Sequence, residues 1–442
     1  MGILPVTKRT PLPIAEAVNK IMEHTRLWEI EKVSIMECDH RILAEDLTAT
    51  HDVPPFNRSP YDGFAIRSDD TKHASLDNPI TLNVVETIGA GQVATREVKS
   101  GMAVRIMTGA QIPDGADAVI MLELVKEHVN DSENQIIIKR SVKKDENISF
   151  QGEDTQNGTL LVRAGTKITP GIVAILSTFG YHTVSVYRRP IVGILSTGTE
   201  LLDVKEELQP GKIRNSNAYM CAAQVRAMGA EVKLYQHRED NFDSLYKSIK
   251  AALQETDVLI TTGGVSVGDY DFLPEVYKKL GADVLFNKIA MRPGSVTTVA
   301  RYEDKWLFGL SGNPSACFVG AELFVRPVIL KGMNMLKPHC TVTNAILSSD
   351  FPKPNPFTRF VRAVLTEVGG GNIVTPAGLD KSSSVSSLVE ANCLIVLPGG
   401  TRGWEKGNEV GVITWHGEGS EWPWDHPLFS KSSVIKTVEK QH

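Results

Sequence analysis

The sequence has few cysteines and no long apolar runs. Its 442 residues include only five cysteines, which are widely spaced and contain no C-x-x-C pair. This usage is typical of a reducing compartment. No apolar run reaches the length of a membrane span, and the start MGILPVTKRTPLP has no apolar core of a signal peptide. We therefore expect a cytoplasmic protein that does not bind the membrane.

An excess of charge of one sign is also missing. The 47 basic and 52 acidic residues leave a formal net charge of -5. A balance of this kind implies no general attraction to nucleic acid or to anionic lipid. An anionic substrate would therefore need a local pocket lined by basic side chains or backbone amides.

Hydrophobic patterning divides the chain into regions. A chain of 442 residues exceeds what one core usually supports, so two to four domains are expected. Apolar residues recur at helical spacing in 13–27, and short β-branched runs follow in 48–145. Strands alternate with helices in 190–330, which predicts a mainly parallel sheet covered on both faces. Short strands return in 332–418 and predict a small β-barrel, whereas 419–442 has no clear pattern.

Three apolar strands of the region 190–330 end in turns that contain glycine. The turns are Ser196-Thr197-Gly198-Thr199-Glu200, Ile260-Thr261-Thr262-Gly263-Gly264-Val265-Ser266 and Leu310-Ser311-Gly312-Asn313-Pro314. Glycine lets backbone N–H groups approach a phosphate, although a tight strand-to-helix turn explains the same residues. Asn313 and Pro314 also suit a helix start, and Asp271 suits either a cation site or a helix cap. Because carboxyl ends of parallel strands meet at one edge, we expect the three turns to line one crevice.

Further charged residues lie in loops. Arg292, in Arg292-Pro293-Gly294-Ser295, offers a planar fork that binds phosphate, although an exposed loop arginine is the commoner case. Asp62-Gly63 is a common turn dipeptide, and the segment 107–117 is typical of a loop. The residues alone thus predict an anion-binding α/β enzyme in which acidic residues are available to a metal ion.

A series of longer motifs resembles the MoeA family and the E domain of gephyrin over about residues 10–418. The motifs, in the family's order, are SPYDGFA, MTGAQIPDGADAV, GEDT, STGTEL, TTGGVSVGDYDF, RPGS and GLSGNPSA. The resemblance implies an elongated α/β multidomain homodimer. Its parts would be a central, mainly parallel α/β domain of the molybdopterin-binding type (10–30 and 188–331), a small linking domain (31–49 and 146–187), an all-β insertion (50–145), a C-terminal β-barrel (332–418) and an unassigned tail (419–442).

The same resemblance implies the activity: insertion of molybdate into adenylylated molybdopterin with release of AMP, dependent on magnesium or a similar divalent cation. Adenylylated molybdopterin and molybdate would be the substrates. A second copy of the chain, other molybdenum-cofactor biosynthesis proteins and apo-molybdoenzymes would be partners.

The family's motifs also imply roles for individual residues. Catalytic roles fall to Asp62, Thr108, Glu200 and Asp271. Metal ligands would be Glu200, Asp240, Asp271 and Asp154. Substrate contacts would come from Ser196, Gly198, Gly263, Gly264, Ser266, Arg292, Ser311, Gly312, Asn313 and Pro314. In the homodimer, Asp62 and Thr108 would face Ser266 and Asp271 across the subunit interface.

Two departures from the family pattern bear on anion binding. Many members read K-P-G-K-P where this chain has Arg292-Pro293-Gly294-Ser295-Val296, so the second lysine is missing. Ser311 replaces the first proline of G-L-P-G-N-P. Two alternatives stay open: a non-catalytic scaffold, which would leave the acidic residues unexplained, and a related pterin- or nucleotide-binding hydrolase that never handles molybdenum, which the missing lysine favours.

Overall fold

The computed structural model describes residues 10–130, 133–239, 241–263 and 272–430. The α-helices are α1 (Ile14–His24), α2 (Pro170–Thr178), α3 (Ser216–Ala227), α4 (Phe242–Gln254), α5 (Leu273–Leu280), α6 (Pro314–Gly320), α7 (Arg326–Gly332) and α8 (Ser387–Glu390). A π-helical turn, Ala321–Val325, joins α6 to α7. Short 3-10 helices occupy Ile35–Glu37, Ser68–Thr71, Leu122–Leu124 and Pro427–Phe429.

Strands account for most of the remaining regular structure. They are β1 (Ile30–Ser34), β2 (Leu47–Thr48), β3 (Gly63–Ile66), β4 (Ile80–Ile88), β5 (Met102–Ile106), β6 (Ala118–Met121), β7 (Val125–Asn130), β8 (Glu133–Ile138), β9 (Leu160–Val162), β10 (Thr183–Tyr187), β11 (Ile191–Thr197), β12 (Leu201–Leu202), β13 (Ile213–Arg214), β14 (Glu231–His237), β15 (Val258–Thr262), β16 (Asp283–Phe286), β17 (Met291–Arg292), β18 (Thr298–Tyr302), β19 (Lys305–Leu310), β20 (Thr341–Leu347), β21 (Thr358–Val368), β22 (Gly371–Pro376), β23 (Cys393–Leu397) and β24 (Glu409–Thr414).

The chain divides into two compact units. The first unit takes in the described parts of 1–45, 164–169 and 183–442, and the second unit comprises 46–163 and 170–182. In the described parts of the chain, no helix combines the length and the apolar character needed to cross a membrane.

The first unit contains a six-stranded sheet in the order β14-β11-β15-β19-β18-β16. Strands β14, β11, β15 and β19 are parallel, and β18 and β16 run antiparallel to their neighbours. Consecutive residues of β11 pack on opposite faces: Ile194 joins the core beneath α3, whereas Leu195 joins the core beneath α4 and α5. The mainly parallel sheet covered on both faces is confirmed, and double burial explains its continuous apolar strands.

The C-terminal part of the first unit forms a closed β-barrel. Its five strands follow the order β21-β22-β20-β24-β23, and β23 pairs back onto β21. The predicted barrel is therefore confirmed. Strand β17, from the central region, adds to the barrel by pairing with β21 in parallel.

Helix α1 and the second unit also match the sequence patterns. Ile14, Ala17, Val18 and Ile21 form the buried stripe of α1. The second unit holds an all-β sheet in the order β6-β3-β5-β4-β8-β7. Of the pairs that flank it in sequence, β1 and β10 lie in the first unit, whereas β2 and β9 lie in the second unit. The limits of the linking domain stay a prediction.

Candidate active site

The carboxyl ends of three neighbouring strands meet at one pocket. Strands β11, β15 and β19 lie side by side, with Ser196 opposite Thr262 and Thr262 opposite Leu310. The turns that follow line a pocket of about 680 Å³ through Glu200, Gly263 and Ser311-Gly312-Asn313. The predicted crevice therefore forms, because parallel neighbours deliver their carboxyl ends to the same edge.

The turn after β15 requires its glycine, Gly263, more strictly than the turn after β19 requires Gly312. Gly263 has φ +91°, and a Cβ there would lie 2.8 Å from the carbonyl oxygen of Thr197. A Cβ on Gly312 would lie 3.5 Å from the Cα of Gly263, an ordinary contact. The Gly263 N–H donates to the carbonyl of Leu310 at 3.1 Å. The two turns are thus in contact, and only at Gly263 does the backbone exclude a side chain.

The turn after β11 contributes the Glu200 carboxylate to the pocket wall, whereas the side chain of Ser196 does not line the pocket. Ser196 is fully buried, and its Oγ accepts a 3.1 Å hydrogen bond from Thr262 Oγ1, so the side chain lies inside the sheet. Gly198 has φ +146°, and a Cβ there would come within 2.4 Å of Glu200 Oε2. Gly198 therefore gives the Glu200 carboxylate room to fold back over the turn, and Glu200 lines the pocket.

The third turn starts helix α6 as predicted. Asn313 occupies the N-cap position and Pro314 the first helical position. The Asn313 side chain makes no capping hydrogen bond, so it does not satisfy the helix N–H groups itself. Ser315, one residue further, donates instead to the barrel: its N–H to Ser382 O at 3.0 Å and its Oγ to Ser384 O at 2.7 Å. The barrel loop therefore holds the start of α6.

Basic residues of the barrel add to the pocket wall. The pairing of β17 with β21 places Arg292 directly beside Arg359, and Arg359 and Arg362 both line the pocket. Asp380 lies among them: its Oδ2 is 2.7 Å from Arg359 Nη1 and 3.0 Å from Lys353 Nζ. Guanidinium groups therefore outnumber the carboxylates of this wall, which favours an anionic ligand.

Arg362 is held rigidly inside the barrel. Its side chain is only 1% exposed, and Nε donates to Ser387 Oγ at 2.7 Å. Burial lowers the pKa of its guanidinium from the ordinary value. Sequence reasoning missed Arg359, Arg362 and Asp380. A signal existed, because two arginines interrupt the otherwise apolar strand RFVRAVL.

The second unit brings Asp62 and Thr108 together. Asp62 Oδ1 accepts hydrogen bonds from the Thr108 N–H at 2.7 Å and from Thr108 Oγ1 at 2.8 Å. These bonds, the backbone one foremost, lower the pKa of the Asp62 carboxyl below its ordinary value of 3.8. The two residues, taken from separate motifs, are therefore hydrogen-bonded neighbours, and the bonds keep the Asp62 carboxylate in its charged form.

Next to this pair, the GEDT motif contributes Glu153 rather than Asp154. A pocket of about 490 Å³ is lined by Thr108, Arg58 and Glu153 among others, whereas the exposed Asp154 is not part of its wall. The Glu153 carboxylate accepts hydrogen bonds from Ser149 Oγ and from the Phe150 N–H. These bonds and the charge of Arg58 lower the pKa of the Glu153 carboxyl. The role of Asp154 as a metal ligand stays a prediction.

Four predicted site residues, Gly264, Ser266, Asp271 and Asp240, lie outside the described residues. Of the two remaining predicted metal ligands, Glu200 belongs to the first unit and Asp154 to the second. Within the described ranges, no group of three or more His, Cys, Asp or Glu side chains is arranged to hold a metal ion. The metal-ligand set stays a prediction.

Comparison with known families covers most of the chain. The MoeA N-terminal region (domain I and II) matches residues 12–180. The family described as a probable molybdopterin binding domain matches 193–331, and the MoeA C-terminal region (domain IV) matches 344–415. The three matches follow the order of the motifs and include the strand-end pocket.

Curated relatives and solved structures agree with these matches. The molybdopterin molybdenumtransferase of Bacillus subtilis is 54% identical over 97% of this chain and 99% of its own length. The protein of the same name from Staphylococcus epidermidis is 49% identical over 92% of this chain and 96% of its own. A crystal structure of a molybdopterin biosynthesis MoeA protein from Pyrococcus horikoshii covers 92% of this chain and all of that one, with 30% identity and a TM-score of 0.82.

Proposed function

Because the chain belongs to the MoeA family of molybdopterin molybdenumtransferases, we propose that it inserts molybdate into adenylylated molybdopterin and releases AMP. The observation that supports this most is the pocket where β11, β15 and β19 end. The turn Ser311-Gly312-Asn313 offers backbone N–H groups there, and arginines of the central region and of the barrel line the same pocket. Both substrates are anions, so a pocket of donors is what their chemistry requires.

The arginine pair bears on the missing second lysine. Ser295, at the lysine position, lines the pocket but carries no charge. Arg359 lies beside Arg292 in register and adds a second guanidinium to the same wall. We propose that these two side chains together bind a tetrahedral oxyanion or phosphate group. This makes the hydrolase alternative, which rested on the missing lysine, less attractive.

In the proposed reaction, water cleaves the pyrophosphate link and AMP leaves. The dithiolene sulfurs bond to molybdenum, and the molybdate oxygens that they displace leave as water with protons from the thiols and solvent. Glu200 lines the pocket, and hard divalent cations prefer carboxylate oxygens and water, so this donor suits magnesium. We propose that Glu200 would hold the cation together with Asp240 and Asp271, with Asp154 as a weaker ligand, and that the cation would offset charge on the phosphate oxygens. Asp62, kept ionised by Thr108, would position groups at the transferring centre.

We further propose a cytoplasmic homodimer in which Asp62 and Thr108 of one subunit act at the pocket of the other. All five cysteines are free thiols, which fits a reducing compartment. Other molybdenum-cofactor biosynthesis proteins and apo-molybdoenzymes would be transient partners.

The proposed reaction is tested by measuring AMP release from adenylylated molybdopterin by the purified protein, with and without molybdate. The expected result is AMP release that molybdate stimulates and that EDTA abolishes, followed by reconstitution of an apo-molybdoenzyme. Tight binding of the pterin without turnover would instead identify a carrier or scaffold. Turnover that ignores molybdate would identify the hydrolase.

The subunit arrangement has its own test. Asp62→Asn and Glu200→Gln inactivate different halves of the proposed site. Mixed dimers of the two variants should regain part of the activity, because one intact site forms per mixed dimer. No recovery after mixing and refolding, with dimers present, would contradict a site shared between subunits.

A further inference from the structure

The side chain of Asn217 connects helix α3 to the turn at the centre of the pocket. Its Nδ2 donates to the carbonyl oxygen of Gly312 at 2.8 Å, across 95 residues of sequence. Asn217 is only 7% exposed and lies outside the pocket lining, whereas Gly312 lies within it. The contact therefore reaches the site from behind the residues that face the ligand.

This hydrogen bond fixes the orientation of a peptide group. The carbonyl and the N–H of a trans peptide point in opposite directions, so holding Gly312 O also sets the direction of the Asn313 N–H. That N–H lies 3.2 Å from Ser311 Oγ. The Gly312 N–H has no hydrogen-bond partner in the described part of the chain. The turn thus presents one open donor and one weakly held donor, and both belong to residues that line the pocket.

The other end of the Asn217 amide is unsatisfied. Asn217 Oδ1 is buried and has no hydrogen-bond partner in the residues that the structure describes. The assignment of oxygen and nitrogen follows from the contact, since only the amide nitrogen can donate to a carbonyl. Buried polar atoms without partners are rare, and an apolar side chain of similar size would avoid this one. Retention of the amide therefore points to a use for its Nδ2 bond.

We propose that Asn217 is a positioning residue that holds the Gly312 peptide so that the turn Ser311-Gly312-Asn313 offers its N–H groups to a phosphate of the substrate. The inference rests on the proposed function, because it assumes that a phosphate-bearing substrate occupies this pocket. Asn217 itself does not touch the substrate. It keeps the N–H donors in place before binding, so less conformational entropy is lost in ordering the turn when the ligand binds.

The test replaces Asn217 by alanine and by leucine. Leu keeps about the size of the side chain but has no group that can donate to Gly312 O, so both variants lose the same bond. The KM for adenylylated molybdopterin is expected to rise about tenfold with kcat within about twofold of wild type, because the lost interaction acts on binding alone. The Kd for AMP alone, measured by titration calorimetry, should rise by a similar factor. Thermal melting verifies that both variants are folded.

Gln224→Ala is the matched control. Gln224 lies on the same helix, is 8% exposed, and donates through Nε2 to the Phe318 carbonyl at 3.2 Å and to Glu322 at 2.8 Å. Its removal should lower the melting temperature without changing the KM or the affinity for AMP.

Wild-type affinity for AMP and substrate in both Asn217 variants would overturn the proposal, as would equal losses in Gln224→Ala. A wild-type protein that binds AMP but never turns over the substrate would contradict the proposed function. The AMP affinities of the variants would still decide the role of Asn217.

Discussion

The pocket of the first unit and the Asp62–Thr108 region of the second unit use opposite polar groups. The first offers donors: backbone N–H groups of the turn Ser311-Gly312-Asn313 and the guanidinium groups of Arg292 and Arg359. The second offers acceptors: carboxylates of Asp62 and Glu153, whose pKa values are lowered by neighbouring N–H and O–H donors. Donors suit the binding of anionic substrates, whereas fixed carboxylates suit the handling of protons, water or cations. On the proposed function, binding and chemistry therefore fall largely to different regions, and Glu200 is the exception among the described residues.

The largest expected effect on activity comes from a change at Glu200. Glu200→Gln keeps the size of the side chain but removes its charge, and should lower kcat/KM for AMP release at least about a hundredfold if Glu200 holds the cation. Glu207→Gln, exposed in the segment between β12 and β13 and outside the pocket, is the control and should behave as wild type. A fully active Glu200→Gln would remove the Glu200 carboxylate from the proposed mechanism.

The second prediction concerns the two glycine turns. Gly263→Ala should reduce the free energy of unfolding by roughly 1–3 kcal/mol, because φ is +91° and a Cβ would press on Thr197 O. Gly312→Ala meets only an ordinary contact at 3.5 Å and should change stability by less than about 0.5 kcal/mol. Chemical denaturation of both variants measures the difference. Equal losses would mean that the contact between the turns, rather than the backbone conformation of Gly263, sets the requirement.

The third prediction tests whether the arginines act as donors to the substrate. Arg359→Ala should raise the KM for the adenylylated pterin about tenfold, the usual consequence of losing a charge-assisted hydrogen bond. Arg402→Ala removes an exposed cation of the barrel outside the pocket and serves as the control.

Conversely, Ser295→Lys introduces the second lysine of the K-P-G-K-P pattern and should lower the KM for molybdate several-fold, an effect that added salt reduces. If Arg359→Ala bound both substrates normally, the guanidinium would serve only to pair with Asp380.

The smallest effect is expected in the second unit. Thr108→Val removes the O–H donor to Asp62 but keeps the stronger backbone contribution, so the pKa of Asp62 should rise only part of the way toward 3.8. Asp62 then stays ionised at pH 7, where activity should change at most a few-fold, while protonation begins at a higher pH on acidification. Carbon-13 NMR titration of the Asp62 carboxyl measures the shift.

Ser149→Ala is the counterpart, since it should raise the pKa of Glu153 and leave that of Asp62 unchanged. A shift of both carboxyl groups in either variant would show that they titrate as one coupled group.

The strand-end pocket was predictable in outline because its parts are local in sequence. Each turn follows an apolar strand directly, and the rule that parallel strands deliver their carboxyl ends to one edge does the rest. Which carboxylate of the GEDT motif lines the pocket beside Thr108 was not predictable in this way. Glu153 and Asp154 are adjacent acids, and only the hydrogen bonds of Ser149 and Phe150 decide which side chain lines the pocket.

The sequence by itself determined the elements: the buried stripe of α1, the apolar strands of the central sheet, the β-branched strands of the second unit and the glycine turns. These follow from periodicity and turn chemistry, which act over a few residues. Tertiary structure alone decided that β21 brings Arg359 beside Arg292, and that Asn217 reaches Gly312. Such contacts join residues far apart in the chain, and they depend on strand pairing and helix packing, which no local pattern encodes.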